Sequence, residues 1–415
     1  MDTNDCLYIK MKNILLLTTI YPIPTAKNLG TKVCHYFAQD WVRLGYNVRV
    51  IHYQAVFPDI FYWPLKFFHK QILAMTGAVV YQVPDKTVQR YIMDDIPVTR
   101  IPLLKRVPHG KFIQSGIDKS IEIIFSLLEN ENFVPDIIVG HFHNPILEVV
   151  VKLKEKYNNA STAIISHGAN YQLPRLYGKR LPDLVSKIDC WGFRSNPIKR
   201  EFEHYVGVVA KSFMCYSGVP EEFISSNNSH HFESKIHKYL YVGSLIKRKH
   251  PAALLLALNA AHPQGDFEIK YVGGDGDEEK KIRQYAKRLN LKKNVQILGK
   301  IPREKIIELY DQSDCMMMIS EDEAYGLVYL EAMARGCLTI ASYNEGFDGV
   351  IENGKNGFLC NAGDWKKLAD VIKGIQDMTS ADKQQVSENA IATAKWLTDR
   401  NAAKMYIEDV IRLTK

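Results

Sequence analysis

Two carboxylates eight residues apart, Glu323 and Glu331, mark the most chemically informative stretch of this chain, EDEAYGLVYLEAMARGCLTIAS over residues 321–342. The apolar run just ahead of it, 315–320, has the length of a strand. Gly326 then opens a run of good helix formers and Gly336 closes it. A strand-to-helix turn leaves backbone amides without partners, here those of Gly326, Leu327 and Val328. Together with the helix dipole they make a site for an anion. An acid just before the helix reaches one side of whatever carries that anion, and an acid about one and a half turns in reaches the other. Two acids flanking a phosphate suit vicinal hydroxyls, on a sugar and on a ribose. Singly, the same residues would read as a cap-region acid and a solvated helix face; the whole pattern after a strand favours a ligand.

Such a turn needs a parallel sheet behind it, and the chain is patterned for one. Strand-like runs fall at 13–18, 48–53, 136–140, 162–166, 238–243, 267–273, 294–298, 314–319 and 338–342, with helix-period segments between most of them. This alternation predicts an α/β protein with crossover helices. A polar, turn-rich break over 216–235 precedes the fresh strand YLYVG and sets a domain boundary near 218. Both halves open with strand, turn and helix. A final helix from about 398 follows a second turn-rich patch and is free to return to the first domain.

The pattern Glu323-x7-Glu331 within G-L-x-x-x-E-A-M-A-x-G resembles the signature of retaining glycosyltransferases of the GT-B fold, in the large group called family four, or glycosyl transferases group 1. The resemblance covers residues 12 to about 412 and is thin between 55 and 130, where acceptor-specific insertions are expected. It implies two Rossmann-like domains with parallel sheets facing a central cleft. Residues 1–218 would bind the acceptor, 219–397 the nucleotide sugar, and 398–415 would form a helix packed on the first domain. In the family the first Glu, here Glu323, holds the donor sugar near its 3- and 4-hydroxyls; the second, Glu331, binds the ribose.

Further segments follow the same resemblance. YVGSLIKRKHP (241–251) is similar to the family's G-R-L-x-x-x-K-G, in which Arg and Lys grip the donor diphosphate. Lys249 matches the Lys, Ser244 stands in place of the Arg, and His250 in place of the Gly. Arg248 or Lys247 supplies the missing charge, or the donor is held with fewer. YVGGDGDEEKK (271–281) resembles the family's Gly-rich turn beside the nucleotide; Asp275 and Asp277 also spell a D-x-D motif, but that metal motif belongs to the other main glycosyltransferase fold, so no metal is expected. Leu298, Gly299 and Lys300 would frame the base through their backbone. Gly243, Gly274 and Tyr325 complete the expected donor lining. In the first domain Gly30 opens a helix where the family carries a Gly pair, and its amide would face donor phosphates or acceptor. His167, in ISHGAN after a strand, matches the family's His near the scissile bond. His141 and His143 read as structural, and NGKNGF near 353–358 as a turn.

The resemblance therefore implies a retaining hexosyltransferase with catalytic Glu323, Lys249 and His167. It would use a nucleoside-diphosphate sugar, UDP first among the bases, a glycan or lipid-linked acceptor, and no cofactor. Bacterial cell-surface polysaccharide synthesis is the expected setting. The rival readings are an inactive partner subunit, favoured by Ser244 and opposed by Glu323, Glu331 and Lys249, and a sugar-nucleotide epimerase, which lacks the acidic helix pattern. A phosphorylase would need a lysine for pyridoxal phosphate in a segment with no match here.

Composition bounds the rest. The 415 residues suggest two or three domains. Seven scattered cysteines, none in a C-x-x-C spacing, argue for a reducing, cytoplasmic setting and against a zinc or disulfide framework. A net charge of +7 without one long basic run makes nucleic acid a poor partner. No signal peptide or membrane span is expected from the apolar runs, and MKNILLLTT reads as a start, leaving residues 1–10 as a possible extension. Residues 57–111 break the rhythm: Phe57, Phe61, Tyr62, Trp63, Phe67 and Phe68 are followed by an excess of basic residues. That is a composition for attachment to an anionic membrane surface, or for lining the acceptor site.

Overall fold

The computed structural model describes residues 12–24, 32–58, 86–107, 110–224, 230–274 and 276–415. Gly30, Asp275, residues 1–10 and the aromatic stretch from 59 to 72 lie outside them. The chain forms two compact units: one of residues up to 193, 201–215 and 403–415, the other of 194–200 and 216–402.

The first unit is built on an eight-stranded sheet among the described residues, in the order β3-β4-β2-β1-β5-β6-β7-β8. Its strands are β1 (Asn13–Thr18), β2 (Asn47–Val56), β3 (Gln89–Met93), β4 (Ile96–Leu104), β5 (Ile137–His141), β6 (Ser161–Ser166), β7 (Cys190–Phe193) and β8 (Ser212–Met214). All pairs are parallel except the β3–β4 hairpin. Central β1 is buried from Ile14 to Thr18 without alternation, because helices cover both faces of a parallel sheet. Helix Val33–Arg43 sets Val33, Cys34, Phe37, Ala38 and Trp41 on one buried stripe. Trp41 is fully buried, and its indole N–H donates to Ala403 O at 2.9 Å. Trp41→Ala would cost about 3–5 kcal/mol on the scale of large core truncations. Residues 403–415, the end of helix Asp399–Thr414, count with this unit.

The second unit carries a six-stranded parallel sheet, again among the described residues, ordered β11-β10-β9-β12-β13-β14. Its strands are β9 (Lys238–Val242), β10 (Glu268–Val272), β11 (Val295–Gly299), β12 (Cys315–Met317), β13 (Leu338–Ser342) and β14 (Phe358–Cys360). From β9 the chain moves outward one way to β10 and β11, then returns beside β9 and moves the other way through β12, β13 and β14. The direction changes between β9 and β12. In open α/β sheets, ligands bind at such a switch point, outside the carboxyl ends of the strands. In the first unit the corresponding switch lies between β1 and β5. No helix of the described residues is long and apolar enough to cross a membrane.

Candidate functional site

The two loops leaving the switch point of the second unit are the ones the sequence singles out. Gly243–His250 follows β9 and Ser320–Gly326 follows β12. Lys249, in a short 3-10 turn, brings Nζ to 3.3 Å from Glu323 Oε2; both side chains are 15% exposed. That carboxylate oxygen is shielded from solvent and accepts no aligned hydrogen bond among the described residues, so its contact with Lys249 is an ion pair that still has room to accept from a donor. Arg248 Nη1 lies 3.8 Å from the same oxygen, but its hydrogen bonds go to the carbonyls of Glu321 (3.1 Å) and Asp322 (3.3 Å). Arg248 thus fastens the β12 loop from below. Ser244 is exposed, and its carbonyl accepts the Tyr241 hydroxyl at 2.8 Å.

Gly326 takes φ +90° at the start of helix Leu327–Ala334, a left-handed conformation natural to glycine, and a Cβ there would meet the Tyr329 ring at 2.4 Å. The first amide to bond back is that of Tyr329, to Gly326 O at 3.0 Å. Leu327 and Val328 precede it and hold N–H groups of the kind that a helix start offers to an anion. The helix is apolar almost all round, buried from Tyr329 to Ala334, so Glu331 is a carboxylate inside a core helix. Arg303 Nε and Nη2 both contact its Oε1, at 2.9 and 2.8 Å, and the Tyr310 hydroxyl lies 3.2 Å from Oε2. Burial pushes the Glu331 carboxyl up, with Arg303 and Tyr310 pulling against it.

Loops from neighbouring strands support this arrangement. Glu345, after β13, accepts the Glu323 amide at 2.9 Å, and burial raises its own carboxyl. The turn after β10 packs directly on the β9 loop: at Gly273, φ +146°, a Cβ would meet Gly243 O at 1.8 Å. Gly274 lies beside the Lys300 methylenes, where a Cβ would touch Cγ at 3.4 Å. Gly243, Gly274, Leu298 and Lys300 therefore share the carboxyl edge with Lys249 and Glu323. The Gly299 carbonyl accepts the Gly273 amide at 2.8 Å.

Tyr325 departs from the expected donor lining. Its side chain is buried, its hydroxyl donates to Ser217 O at 2.7 Å, and Arg194 stacks 4.5 Å above its ring. These contacts anchor the loop. Arg303, Tyr310 and Glu345 were missed in the sequence because each lies in a different strand-loop-helix unit from the carboxylate it touches.

In the first unit, His141 ends β5 and His167 follows β6. His141 Nδ1 lies 2.9 Å from His167 Nε2, and His141 Nε2 lies 3.2 Å from the Tyr406 hydroxyl. Phe142 stacks on His167 with ring centroids 4.1 Å apart. His141, expected to be structural, is thus the fully buried support of His167. His143 is buried and held neutral, its imidazole lowered to about 4 by burial. A pocket of about 480 Å³ in the same unit is lined by Arg106, Lys111, Phe112, Gln114 and Arg175, among others.

This pair of open α/β sheets recurs in known proteins. Sucrose-phosphate synthase from Thermosynechococcus elongatus superposes with a TM-score of 0.67 over 97% of this chain and 98% of its own, at 18% identity. Anabaena HepE, solved with UDP, gives 0.65 over 97% and 100%, at 20% identity. At that identity the likeness establishes the GT-B fold. Residues 224–393 match the model of the family described as glycosyl transferases group 1. N-acetyl-alpha-D-glucosaminyl L-malate synthase of Bacillus anthracis is 42% identical over 97 residues, 23% of this chain and 25% of the relative. The chain spans between 25% and 41% of the length of the first curated relatives it matches.

Proposed function

We propose that this protein is a retaining glycosyltransferase that moves a sugar from a nucleoside-diphosphate sugar to a hydroxyl of a glycan or lipid-linked acceptor. The observation that carries the reading is Glu323 Oε2, shielded yet short of a hydrogen bond, beside Lys249 at the switch point. A sugar hydroxyl donating to that oxygen supplies the missing bond. Lys249 and the amides of Leu327 and Val328 take up the charge of the departing diphosphate, an electrostatic role of the oxyanion-hole type. The bond from C1 to the phosphate oxygen breaks, the acceptor oxygen bonds to C1 on the same face, and the leaving phosphate receives the acceptor proton. Glu331 holds the ribose. UDP is the favoured base, since the structurally similar HepE has been solved with UDP and glucose. With phosphate charge met by Lys249 and a helix start, no divalent ion is required.

His167, held by His141, serves the reacting end of the donor sugar, and the cationic lining at Arg106, Lys111 and Arg175 suits an acceptor that carries phosphate or carboxylate. A peripheral membrane position gains support from Ile92, 72% exposed in the β3–β4 hairpin with Arg90, and from Val107, 50% exposed after β4 and next to Arg106. Arg100 takes no part in such a surface, being buried and bonded to Gln54.

A thermal-shift screen of UDP-, GDP- and ADP-sugars identifies the base, and turnover then tests the site. Lys249→Met is expected to weaken nucleoside-diphosphate binding about tenfold or more, the scale of one charge-assisted bond. Glu323→Gln is expected to keep that affinity and lose turnover. EDTA is expected to leave the wild type active. Normal turnover in both variants removes the assignment, and an absolute need for magnesium or manganese overturns the metal-free mechanism. Flotation with anionic liposomes at low salt tests attachment.

A further inference from the structure

At the opposite edge of the second sheet, before β9 and β10 begin, three metal-ligating side chains converge from separate turns. His262 closes helix Pro251–Ala261, and the turn His262–Gly265 returns the chain to Asp266 just ahead of β10. His237 precedes β9 and is tied to the same place by its carbonyl, which accepts the Glu268 amide at 2.8 Å. His262 Nδ1 lies 3.1 Å from Asp266 Oδ1, and His237 Nδ1 lies 3.7 Å from Asp266 Oδ2. One ligand atom from each of the three residues falls within 4.8 Å of the others.

We infer that His237, His262 and Asp266 form a binding site for a divalent transition-metal ion, zinc first, separate from the sugar-transfer site. Metal–ligand bonds of about 2.0–2.2 Å in a tetrahedron separate ligand atoms by about 3.3–3.5 Å. The His262–Asp266 Oδ1 distance of 3.1 Å is close to that spacing, while the 3.7 Å from His237 runs to the other oxygen, so a small turn of the exposed Asp266 carboxylate would present one oxygen to both rings within the 4.8 Å span of the three ligand atoms. His262 is prepared for the role. Its side chain is 4% exposed, and its far nitrogen Nε2 lies 2.8 Å from the Tyr239 hydroxyl, which in turn accepts from Gln376 Nε2 at 3.1 Å. A partner on the far nitrogen fixes ring orientation and directs Nδ1 to the ion, as outer-shell groups do in metal sites.

His237 and Asp266 are the adjustable members. Their side chains are 42% and 50% exposed, so His237 can release its present bond to the Asp266 carbonyl at little cost. Two imidazoles and one carboxylate suit zinc, nickel or copper better than magnesium or calcium. The fourth position is left to water. The ion would fasten the end of helix Pro251–Ala261 to the start of β9. It sits at the amino edge of the strands whose carboxyl edge carries Lys249 and Glu323, so its role is structural.

The experiment uses the full chain with any affinity tag removed, stripped by chelator and titrated with zinc chloride under reducing conditions by calorimetry. One ion per chain is expected to bind with a micromolar or tighter constant and to raise the thermal midpoint. His237→Ala and Asp266→Asn, both at exposed side chains, are expected to weaken binding at least tenfold. Tyr239→Phe should weaken it less while keeping one ion per chain. Absence of stoichiometric zinc binding, or zinc binding unchanged in both His237→Ala and Asp266→Asn, overturns the site. The latter result would point to the cysteines, six of which are free and buried among the described residues. Turnover of the stripped enzyme is a separate readout and bears only on the transfer reaction.

Discussion

Arg303 places both Nε and Nη2 on a single oxygen of Glu331, at 2.9 and 2.8 Å, inside a helix that is otherwise apolar. A ribose diol reaching Glu331 therefore meets a carboxylate that is already oriented. Removing Arg303 strands a buried charge, which is a stronger perturbation than losing a surface ion pair. Because the Arg303 side chain is 31% exposed, solvent offsets part of that cost. Arg303→Met is expected to destabilise the second unit by about 1–3 kcal/mol and to weaken nucleoside-diphosphate binding. Chemical denaturation and calorimetry together check it. Unchanged values in both would separate Arg303 from the site.

Gly346 sets the position of the Glu323 loop. A Cβ there would meet Glu323 O at 2.4 Å and Tyr325 N at 2.5 Å, backbone atoms that a rotamer change cannot move. Gly346→Ala is expected to cost about 1–3 kcal/mol as an overpacking substitution and to reduce transfer out of proportion to the lost stability. Denaturation midpoints and initial rates measured on the same preparation test this. A fully active variant would show that the loop tolerates displacement.

Much of the candidate site in the second unit was legible in the sequence because its residues are local to one another. Glu323, the Gly326–Val328 turn and Glu331 are carried by one strand-turn-helix unit, and the apolar run of β1 was read to the residue. What lay hidden depends on tertiary pairing. Arg303 and Tyr310 meet Glu331 from another helix, and His141 supports His167 only because β5 and β6 are neighbours. The strand β4 was passed over because Pro97 and Pro102 break its pattern. Each proline falls where only one neighbouring strand pairs, so the missing N–H is tolerated there. Short β7, β8 and β14 are too brief to show a period. Tyr325 is the converse case: its place in the motif gave no sign that its hydroxyl was committed to Ser217.

His250 replaces the family's glycine at φ +46°, a left-handed conformation that glycine adopts freely and histidine tolerates. Relief of that conformation by glycine is offset by greater freedom of the unfolded chain and by loss of the contact with Glu321 at 3.3 Å. His250→Gly is expected to lie within about 1 kcal/mol of the wild type. His250→Val, with a branched Cβ, should cost about 1–3 kcal/mol. Equal stabilities for the glycine and valine variants would mean that the turn relaxes to another conformation.

Acid should weaken the first unit through two buried imidazoles. Burial holds His52 down at about 3 and His143 at about 4; for His52 the nearby Arg100 guanidinium adds to the effect. Among the described residues His52 Nδ1 and His143 Nε2 are buried without hydrogen-bond partners, so a second proton on either ring would find no acceptor. In the unfolded chain both protonate near 6.5. The unfolded state therefore binds more protons below that value, and the contribution of these neutral rings, complete above pH 6.5, is lost as pH falls toward 4. Glu148 in the same unit is raised by burial and works in the opposite sense, gaining a proton in the fold before the unfolded chain does. The two histidines outweigh it, since both are wholly buried, and the loss is on the order of a few kcal/mol. Unfolding midpoints between pH 7.5 and about 4.5, with His52→Leu and His143→Leu as comparisons, test the sign. The wild type is expected to lose stability across this interval, and each variant to show a slope shallower by about one proton. A wild-type stability that is flat or rises as pH falls would refute the assignment, as would variants that keep the full slope.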